Sequence, residues 1–397
     1  MKKALLLCTS HNDLGLVKAL KKLGYFIVAT GNRDNSPGEK WVDKWVRADY
    51  SDKELILQIA KDEKIDAICQ CCNDFGVYTA SYVAEQLGLP GYDSYETTLT
   101  LHNKDRFKAF AKDNDIISPV SVGFDEEEKA IDAIRTMELP LIVKPVDCSA
   151  GNGISVVENL EDAEAAIRLA FSKSRLGRIV VEPYLKGTQH GFCTFLYNKK
   201  VVAWCSNDEY SIVNPYRVEI DTFPATGWEK CYKILIEQIE KIADILDLKD
   251  GIFHLQYIYA DGKPWIIEVM RRILGNMYHV PSNEFSGFSW EYWETKARCG
   301  LDCSDFPSGV QGKGCFGYKT ILAPHNGEIT DITIPKEYSK YIYDSFYLMN
   351  VGEVVKNYKQ EPVGFLFMMF ANDEEMHRVL IDEYRNDLVG VKECADE

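Results

Sequence analysis

Short hydrophobic runs alternate with amphipathic stretches over about the first 90 residues of the chain. The runs KALLLCT, YFIVATG and DAICQCC have the composition of strands, whereas LGLVKALKKLG, KELILQIAKDE and FGVYTASYVAEQLG have the hydrophobic period of helices. This alternation predicts a doubly wound parallel sheet, which binds ligands at the C-terminal ends of its strands. Asn73 and Asp74 follow the third predicted strand and are candidate substrate residues, although a helix N-cap before Phe75 explains them equally well.

Composition and charge exclude several classes of protein. The formal net charge of -16 at pH 7 disfavours a nucleic-acid partner, and no basic run concentrates the 45 Lys and Arg residues. No apolar run approaches the length of a membrane helix, and the opening MKKALLLCTS fits a first strand better than a signal peptide. The first strand–helix turn, TSHNDLG, lacks the GxGxxG fingerprint, which disfavours a nicotinamide enzyme. The 12 cysteines show no disulfide-like regularity, which predicts buried thiols in a cytoplasmic protein.

A loop of small residues follows a lysine in the stretch IVKPVDCSAGNGISVV, which runs from Ile142 to Val157. Lys144 ends a run that has the composition of a strand, and a second such run begins after the loop. The segment from Ser149 to Gly153 lets backbone amides converge on anionic oxygens, because small residues permit close approach. An ordinary hairpin explains the same pattern, so this stretch alone leaves both interpretations open.

The later hairpin GIFHLQYIYADGKPWIIEVMRR has one polar and one apolar face. A three-residue turn at 261–263 sets residue 260 opposite residue 264, so that Gln256 faces Glu268 and His254 faces Met270. Because side chains alternate along strands, Arg272 joins these four residues on one face. The other face is predicted to be core and carries Phe253, Leu255, Tyr257, Tyr259, Trp265, Ile267 and Val269. Oxygen donors beside a guanidinium suit Mg2+ and an anion, but solvated strand faces also carry such residues.

The order of these motifs resembles the ATP-grasp superfamily. A doubly wound domain, a helix that carries Lys104, the Lys144 strand with its glycine-rich loop, VEPYLKG and a strand ending IIEVMRR follow one another over nearly the whole chain. The resemblance is to carboxylate-amine ligases of the biotin carboxylase, glycinamide ribonucleotide synthetase and L-amino acid ligase kinds. Its implied fold is of mixed α/β and α+β class. A Rossmann-like domain with a doubly wound parallel sheet, termed pre-ATP-grasp, would span 1–100. A two-lobed ATP-grasp domain would span 101–304, with a lid lobe at about 118–185 and a catalytic lobe at about 186–304, before a β-rich α+β subdomain over 305–397.

The resemblance also implies roles for particular residues. Lys104 and Lys144 would hold the phosphates of ATP. The other implied nucleotide contacts are the lid residues Ser149, Ala150, Gly151, Asn152, Gly153 and Ser155, and Gln189 at the ribose. The connector Glu182, Pro183, Tyr184 and Leu185 would pair its backbone with the adenine edge. Glu268 and Gln256 would bind Mg2+, for which Mn2+ can substitute. The catalytic set would be Arg272, Lys144 and Glu268, with Arg272 neutralising the transferred phosphoryl group or the acyl phosphate.

Three further residues are candidates for the substrate site. Arg271 is an extra arginine beside Arg272, and it is either solvated or a substrate residue. The loop ILGNMYHVPSNEF adds Asn276 and His279 as candidates for an acid pocket, and ordinary loop roles explain both residues equally well.

Two departures from the family pattern bear on metal binding. The resemblance implies two acidic residues a dozen positions apart, with an asparagine two positions after the second. This chain instead has Gln256 at the first acidic position and Met270 at the asparagine position. A neutral oxygen at position 256 removes one negative charge, so weaker metal binding than in the family is expected.

The implied activity is that of an ADP-forming ligase, which activates a small carboxylic acid as an acyl phosphate and joins it to an amine. Two alternatives stay open. One is phosphorylation of bicarbonate or another acid, as in carbamoyl phosphate and biotin carboxylation chemistry. The other is an ATP-binding protein with weakened catalysis, which the departures at positions 256 and 270 favour. The expected partners are small carboxylates and amines, without nucleic acid or membrane, and the resemblance allows a homodimer.

Overall fold

The structure is a computed structural model that describes residues 1–148, 151–308 and 312–393. Within these ranges the strands, numbered in chain order, are β1 (Lys3–Leu6), β2 (Phe26–Gly31), β3 (Lys44–Arg47), β4 (Ala67–Cys69), β5 (Val122–Phe124), β6 (Leu141–Pro145), β7 (Ser155–Val157), β8 (Ile179–Pro183), β9 (Thr188–Tyr197), β10 (Lys200–Tyr210), β11 (Ile220–Phe223), β12 (Gly251–Ala260), β13 (Lys263–Met270), β14 (Cys315–Ile321), β15 (Gly327–Ile332), β16 (Ile342–Tyr347), β17 (Val354–Val355), β18 (Gly364–Phe370) and β19 (Val389–Lys392). The helices are α1 (Leu14–Lys22), α2 (Lys53–Glu63), α3 (Asp74–Leu87), α4 (Tyr95–His102), α5 (Lys104–Asp113), α6 (Glu127–Ile134), α7 (Ala163–Lys173), α8 (Tyr232–Ile245), α9 (His279–Ser286), α10 (Trp290–Arg298), α11 (Lys336–Ser339) and α12 (Asp373–His377).

The chain forms two compact units. The first contains Met1–Trp204, Gly227–Gly275 and Ser289–Gly309, and the second contains Cys205–Thr226, Asn276–Phe288 and Val310–Glu397. The predicted boundaries of three domains stay a prediction. Among the helices of the described ranges, none combines the length and the apolar character that a membrane crossing requires.

The first unit begins with a parallel sheet in the order β3-β2-β1-β4. Its inner strands are buried because their apolar residues are covered by helices α2 and α3 in one hydrophobic cluster, while α1 also contacts β2. Helix α3 ends at Gly88, whose φ of 63° suits a left-handed C-cap. The predicted doubly wound sheet is therefore confirmed. Strand β3 was not predicted, because KWVR is polar at both ends and only partly buried.

A second sheet of the first unit has the order β5-β8-β6-β7 and is antiparallel at each pairing. It carries the glycine-rich loop between β6 and β7, in which Val143 pairs with Ser155. One side of this sheet packs on helices α6 and α7 through a cluster that includes Leu141, Ile167 and Ile179. The loop therefore joins two strands, as the sequence predicted, and a hydrophobic core of their own fixes these strands.

The polar hairpin consists of β12 and β13, and β9 lies along the other edge of β12. Gln256 pairs with Glu268 and His254 with Met270, as predicted. The turn is shorter than predicted, however, because Ala260 pairs with Lys263 across a two-residue turn at Asp261–Gly262. A β-bulge beside Gln256 restores the predicted pairing farther along the hairpin.

The bulge also changes which residues face the core. Ile266 is fully buried in the hydrophobic cluster, together with Phe253 and Tyr257. Ile267 and Trp265 are only partly buried and lie outside this cluster, so their assignment to the core face was wrong. An extra residue in one strand inverts the alternation of side chains beyond it, which the assumption of a regular ladder could not capture.

The second unit is built on antiparallel strands. The part of β10 that belongs to this unit begins at Cys205 and pairs with β11. The sheet then continues through β14, β18 and β16. A smaller sheet has the order β17-β15-β19. The core between these elements includes Ile220, Ile321, Leu366 and Leu380, all of them almost fully buried.

Candidate active site

Lys104 is the first residue of α5 and lies against the polar face of the hairpin. Helix α4 ends at His102, and Asn103 is the N-cap of α5, the helix that was predicted to carry Lys104. The Lys104 Nζ donates to Glu268 Oε1 and to the Cys148 carbonyl, both at 2.9 Å. Burial by itself lowers the pKa of Lys104, but the charge of Glu268 outweighs this and the net shift is upward. Lys104 therefore joins the beginning of the lid loop to the predicted metal ligand.

A second cluster of charges lies between the hairpin and the sheet β5-β8-β6-β7, which is called the lid sheet below. Glu182, at the end of β8, is 1% exposed, and its Oε2 lies 3.1 Å from the Lys144 Nζ. Its Oε1 lies 3.5 Å from the Nζ of Lys108, which is 2% exposed. Burial lowers the pKa of Lys108 to about 8, although Glu182 opposes this shift. Burial would raise the pKa of Glu182, but Lys108 and Lys144 outweigh it and lower the pKa.

Lys108 was not identified from the sequence. It lies four residues after Lys104, and residues at this spacing share one face of a helix. The spacing of four residues could have indicated Lys108 from the sequence, because a lysine on the same side of α5 as Lys104 would reach the same region. The buried Nζ of Lys108 donates to the Ser118 Oγ at 2.9 Å and to the Ile266 carbonyl at 3.3 Å.

The predicted nucleotide loop lies where the Lys144 strand ends. Gly151, Asn152 and Gly153 form the turn before β7, and Ser155 is the first residue of that strand. Gly151 and Gly153 have φ values of 73° and 78°, a conformation that favours glycine. The predicted lid residues Ser149 and Ala150 lie outside the described residues.

The predicted adenine connector leaves the lid sheet at its edge. Glu182 and Pro183 end β8, and Tyr184 and Leu185 follow the strand. The backbone N–H of Tyr184 donates to the Pro140 carbonyl at 2.9 Å, so this group is already used within the chain. Gln189 lies in β9 opposite Ile258 and is partly buried.

Arg272 makes a two-point contact with Asp74 at the C-terminal edge of the parallel sheet. Its Nε and Nη2 lie 2.8 and 3.0 Å from the two carboxylate oxygens, and its Nη1 donates to the Ile273 carbonyl at 3.1 Å. Burial alone would raise the pKa of Asp74, yet Arg272 and the His102 hydrogen bond hold it well below its ordinary value. Asp74 is thus an ionised partner of the predicted catalytic arginine. Asn73 is the N-cap, and its side chain accepts from the Phe75 N–H.

His102 fixes the other side of the Asp74 carboxylate. Its Nε2 accepts from the backbone N–H of Arg271 at 3.2 Å, so the ring proton must be on Nδ1. The Nδ1–H therefore donates to Asp74 Oδ1, which lies 3.1 Å away. His102 was not identified from the sequence, because its role depends on contacts with residues far along the chain.

Arg271 has a structural position, and its assignment as a solvated or substrate-binding residue was wrong. It is 2% exposed, and its Nε donates to Asp93 at 2.9 Å. Its two Nη groups donate to the carbonyls of Lys249, Gly251 and Ile252. The guanidinium therefore holds the start of β12 and has no donor left for a substrate.

The polar face of the hairpin offers Mg2+ a small set of oxygen ligands. Glu268 supplies one carboxylate and Gln256, directly opposite, one amide oxygen. The described residues contain no group of three or more His, Cys, Asp or Glu side chains arranged to hold a metal ion. Mg2+ commonly uses one or two carboxylates and takes its other ligands from substrate phosphates and water. The two oxygens therefore fit a Mg2+ ion that arrives with a nucleotide.

Asn276 and His279 belong to the second unit, in contrast to the residues above. Asn276 has a φ of 54°, and its side chain donates to the Val218 carbonyl at 3.4 Å. His279 is the first residue of α9 and is 5% exposed. Their place in an acid pocket stays a prediction.

Comparison with known proteins assigns the central part of the chain to a domain class. Residues 102–236 match the model of the phosphoribosylglycinamide synthetase ATP-grasp (A) domain. A phosphoribosylamine–glycine ligase of Allochromatium vinosum is 26% identical over 214 residues, covering 47% of this chain and 48% of that protein. A carbamoyl phosphate synthase large chain of Clostridium botulinum is 22% identical over 315 residues, covering 74% of this chain and 28% of that protein. The chain thus spans about half or less of these curated relatives.

The likeness of fold extends over the whole chain. The crystal structure of an L-amino acid ligase from Bacillus licheniformis superposes with a TM-score of 0.83 at 19% identity, covering 100% of this chain and 99% of that one. The chain therefore shares with this protein a fold that contains the N-terminal parallel sheet, the sheet with the glycine-rich loop and the polar hairpin. Residues 102–236 are thus similar to an ATP-grasp domain of the phosphoribosylglycinamide synthetase type.

Proposed function

We propose that the chain is an ATP-dependent, ADP-forming ligase that joins a small carboxylic acid to an amine. The observation that carries the proposal is the contact of Lys104 with both Glu268 and the Cys148 carbonyl. This contact brings Lys104, which we propose binds phosphate, together with Glu268, which we propose binds the metal, and with the beginning of the glycine-rich loop. The matched ATP-grasp domain and the relatives that are named as ligases support the same activity.

In the proposed reaction, a substrate carboxylate oxygen attacks the γ-phosphorus of ATP, and ADP leaves. The product is an acyl phosphate, from which an amine nitrogen displaces inorganic phosphate to form an amide. Lys104 and Lys144 would offset the charge of the phosphates, and Arg272 would offset that of the acyl phosphate. Catalysis would rest on positioning and charge, without a nucleophilic side chain of the protein.

The charges of the site suit an anionic ligand. Each cation already has a carboxylate partner: Lys104 with Glu268, Lys144 with Glu182 and Arg272 with Asp74. Lys108, which also lies near Glu182, is a fourth cation. Four cations and three carboxylates give these seven side chains a net charge of about +1 when all are ionised. Glu268 and Gln256 would hold Mg2+, with Mn2+ as a substitute, and the metal would neutralise part of the phosphate charge.

The proposed setting is a cytoplasmic reaction between small molecules. In the parts of the chain that the structure describes, the cysteines are free thiols, which fits a reducing compartment. The net charge of -16 gives no support to a nucleic-acid partner. A homodimer is part of the proposal only by analogy with ligases of this fold.

Two other activities have particular support. The similarity to a carbamoyl phosphate synthase large chain favours phosphorylation of bicarbonate or another acid as the second candidate. Gln256 and Met270 favour a third, an ATP-binding protein with weakened catalysis, because one carboxylate is missing from the metal site.

The experiment supplies the full chain with Mg-ATP and pooled amino acids and organic acids, and measures release of ADP and phosphate. The ligase predicts that a pool stimulates release and that mass spectrometry finds a condensation product. Stimulation by bicarbonate without an amine would favour the second candidate. ATP binding without stimulation by any pool would reject the ligase in favour of the third. Lys144→Ala is the control, because any release that persists in this variant does not come from the proposed site.

A further inference from the structure

Lys108 has no assigned part in the proposed reaction, yet it is one of the most buried charged residues of the first unit. Its side chain is 2% exposed and lies between α5, β8 and the hairpin. The Nζ donates to the Ser118 Oγ and to the Ile266 carbonyl and lies 3.5 Å from Glu182 Oε1. Burying an ammonium group is costly unless it has such partners, so its position requires an explanation.

Glu182 divides its two oxygens between two lysines. Oε1 faces Lys108 and Oε2 faces the Lys144 Nζ at 3.1 Å. One carboxylate cannot neutralise two ammonium groups, so this group of three retains one positive charge. Lys144 is 9% exposed and is the more accessible of the two lysines, so the excess charge is available to a ligand at its side.

We propose that Lys108 is a positioning residue that preserves the positive charge of Lys144 for the nucleotide by holding Glu182. The inference rests on the proposed function, in which Lys144 contacts the phosphates of ATP. Without the charge of Lys108, Glu182 would pair with Lys144 alone. The phosphates would then have to compete with a buried carboxylate for the same ammonium group, and nucleotide binding would weaken.

A purely structural role for Lys108 predicts a different result. Its bonds to Ser118 and Ile266 join α5 to neighbouring segments, and their loss would destabilise the first unit. Removing the Glu182 charge as well would then take away a further buried contact and lower the stability of the first unit further. If Lys108 acts through charge, removing Glu182 instead restores the net charge of +1. The double variant therefore separates the two roles.

The experiment measures ATP affinity by calorimetry, with EDTA and without acid or amine, so that neither metal nor turnover contributes. Glutamine at position 108 keeps a hydrogen-bond donor and removes the charge, and glutamine at position 182 keeps the shape of glutamate. Lys108→Gln is expected to weaken ATP binding about tenfold, which corresponds to the loss of one favourable charge interaction. The double variant Lys108→Gln, Glu182→Gln is expected to bind ATP within about threefold of the wild type, because the adenine contact is assigned to the backbone of segment 182–185 and not to the Glu182 side chain. Lys112→Gln, an exposed lysine of the same helix, is the control and should leave the affinity unchanged.

Two results would overturn the inference: wild-type affinity in Lys108→Gln, or a double variant as weak as Lys108→Gln. In both cases the wild type still binds ATP, so the proposed function survives. Absence of ATP binding by the wild type would reject the proposed function and this inference together. Lys108→Met is the second variant if Lys108→Gln fails to fold, and the same rescue by Glu182→Gln is expected.

Discussion

Glu268 is the single carboxylate on the polar face of the hairpin, and Gln256 occupies the place opposite to it. An amide oxygen can bind Mg2+ but brings no charge to offset that of the metal. Gln256→Glu is therefore expected to lower the Mg2+ concentration needed for half-maximal ATP binding by several-fold, measured by calorimetry over a Mg2+ series. Gln86→Glu, the same change at an exposed position of α3, should have no effect. An unaltered Mg2+ dependence in Gln256→Glu would remove residue 256 from the metal site.

Asp74 is stabilised as an anion by Arg272 and His102, which makes its contribution to stability dependent on pH. Its pKa in the folded chain lies well below the ordinary value, so folding favours the ionised form. The stabilisation is complete above the pKa of about 3.9 in the unfolded chain and is lost as the pH falls through the folded value. Asp74→Asn should cost about 2 kcal/mol in the free energy of unfolding at pH 7, because it leaves a buried arginine charge without its counter-ion.

The measurement is urea unfolding of the wild type and of Asp74→Asn at pH 7 and at pH values below about 4, where the difference should shrink. Asn73→Ala is the matched control, since it removes the neighbouring N-cap. Its cost of about 1 kcal/mol should not vary with pH in this range. A cost of Asp74→Asn that is the same at all pH values would contradict the ion pair.

At the scale of elements, the hairpin of β12 and β13 depends on a bulge. Ile266 is fully buried and Ile267 is only partly buried, although a regular ladder would give the opposite arrangement. Ile266→Ala should therefore cost about 2–5 kcal/mol in the free energy of unfolding, as buried aliphatic truncations do. Ile267→Ala should cost about 1 kcal/mol or less. Equal costs, or the reverse order, in denaturant unfolding would show that the bulge is absent.

The hairpin also illustrates what sequence can and cannot determine. The pairing of Gln256 with Glu268 was predicted correctly, although the predicted three-residue turn was wrong, because the shorter turn and the bulge compensate each other. The turn residues and the alternation of polar and apolar residues are visible in the sequence. The bulge, in contrast, depends on how the hairpin packs against α8 and β9. Lys144 and Lys104 were singled out from motif order, whereas Lys108 was not. The pairing of Glu182 and Asp74 with these cations and the role of His102 were not predicted, because the contacts join residues up to 198 positions apart.

At the scale of the whole molecule, the second unit contains a charge that opposes its stability. Lys319 is 1% exposed, and its Nζ lies 3.6 Å from the centroid of the Tyr384 ring. Burial lowers its pKa to about 7, although Glu219 and Asp387 oppose this shift. The unfolded chain therefore binds more protons between pH 7 and about pH 10, and stability should rise with pH over that range.

Lys319→Met is expected to stabilise the protein at pH 6 by about 2 kcal/mol and to reduce the rise in stability between pH 7 and 10. Far-UV circular dichroism during denaturant unfolding is the measurement, because all seven tryptophans lie in the first unit. Lys336→Met changes an exposed lysine of the same unit and should leave the pH dependence as it is. A Lys319→Met variant whose stability rises between pH 7 and pH 10 as much as that of the wild type would contradict this account.

The account as a whole depends on one site in the first unit where ammonium groups and the hairpin carboxylate meet a nucleotide. A crystal structure of the full chain with a non-hydrolysable ATP analogue and Mg2+ tests this most directly. We expect the analogue's phosphate oxygens within hydrogen-bond distance of the Lys104 and Lys144 Nζ atoms, with Mg2+ on Glu268. An analogue bound elsewhere, with both lysines still paired only to Glu268 and Glu182, would contradict the central claim.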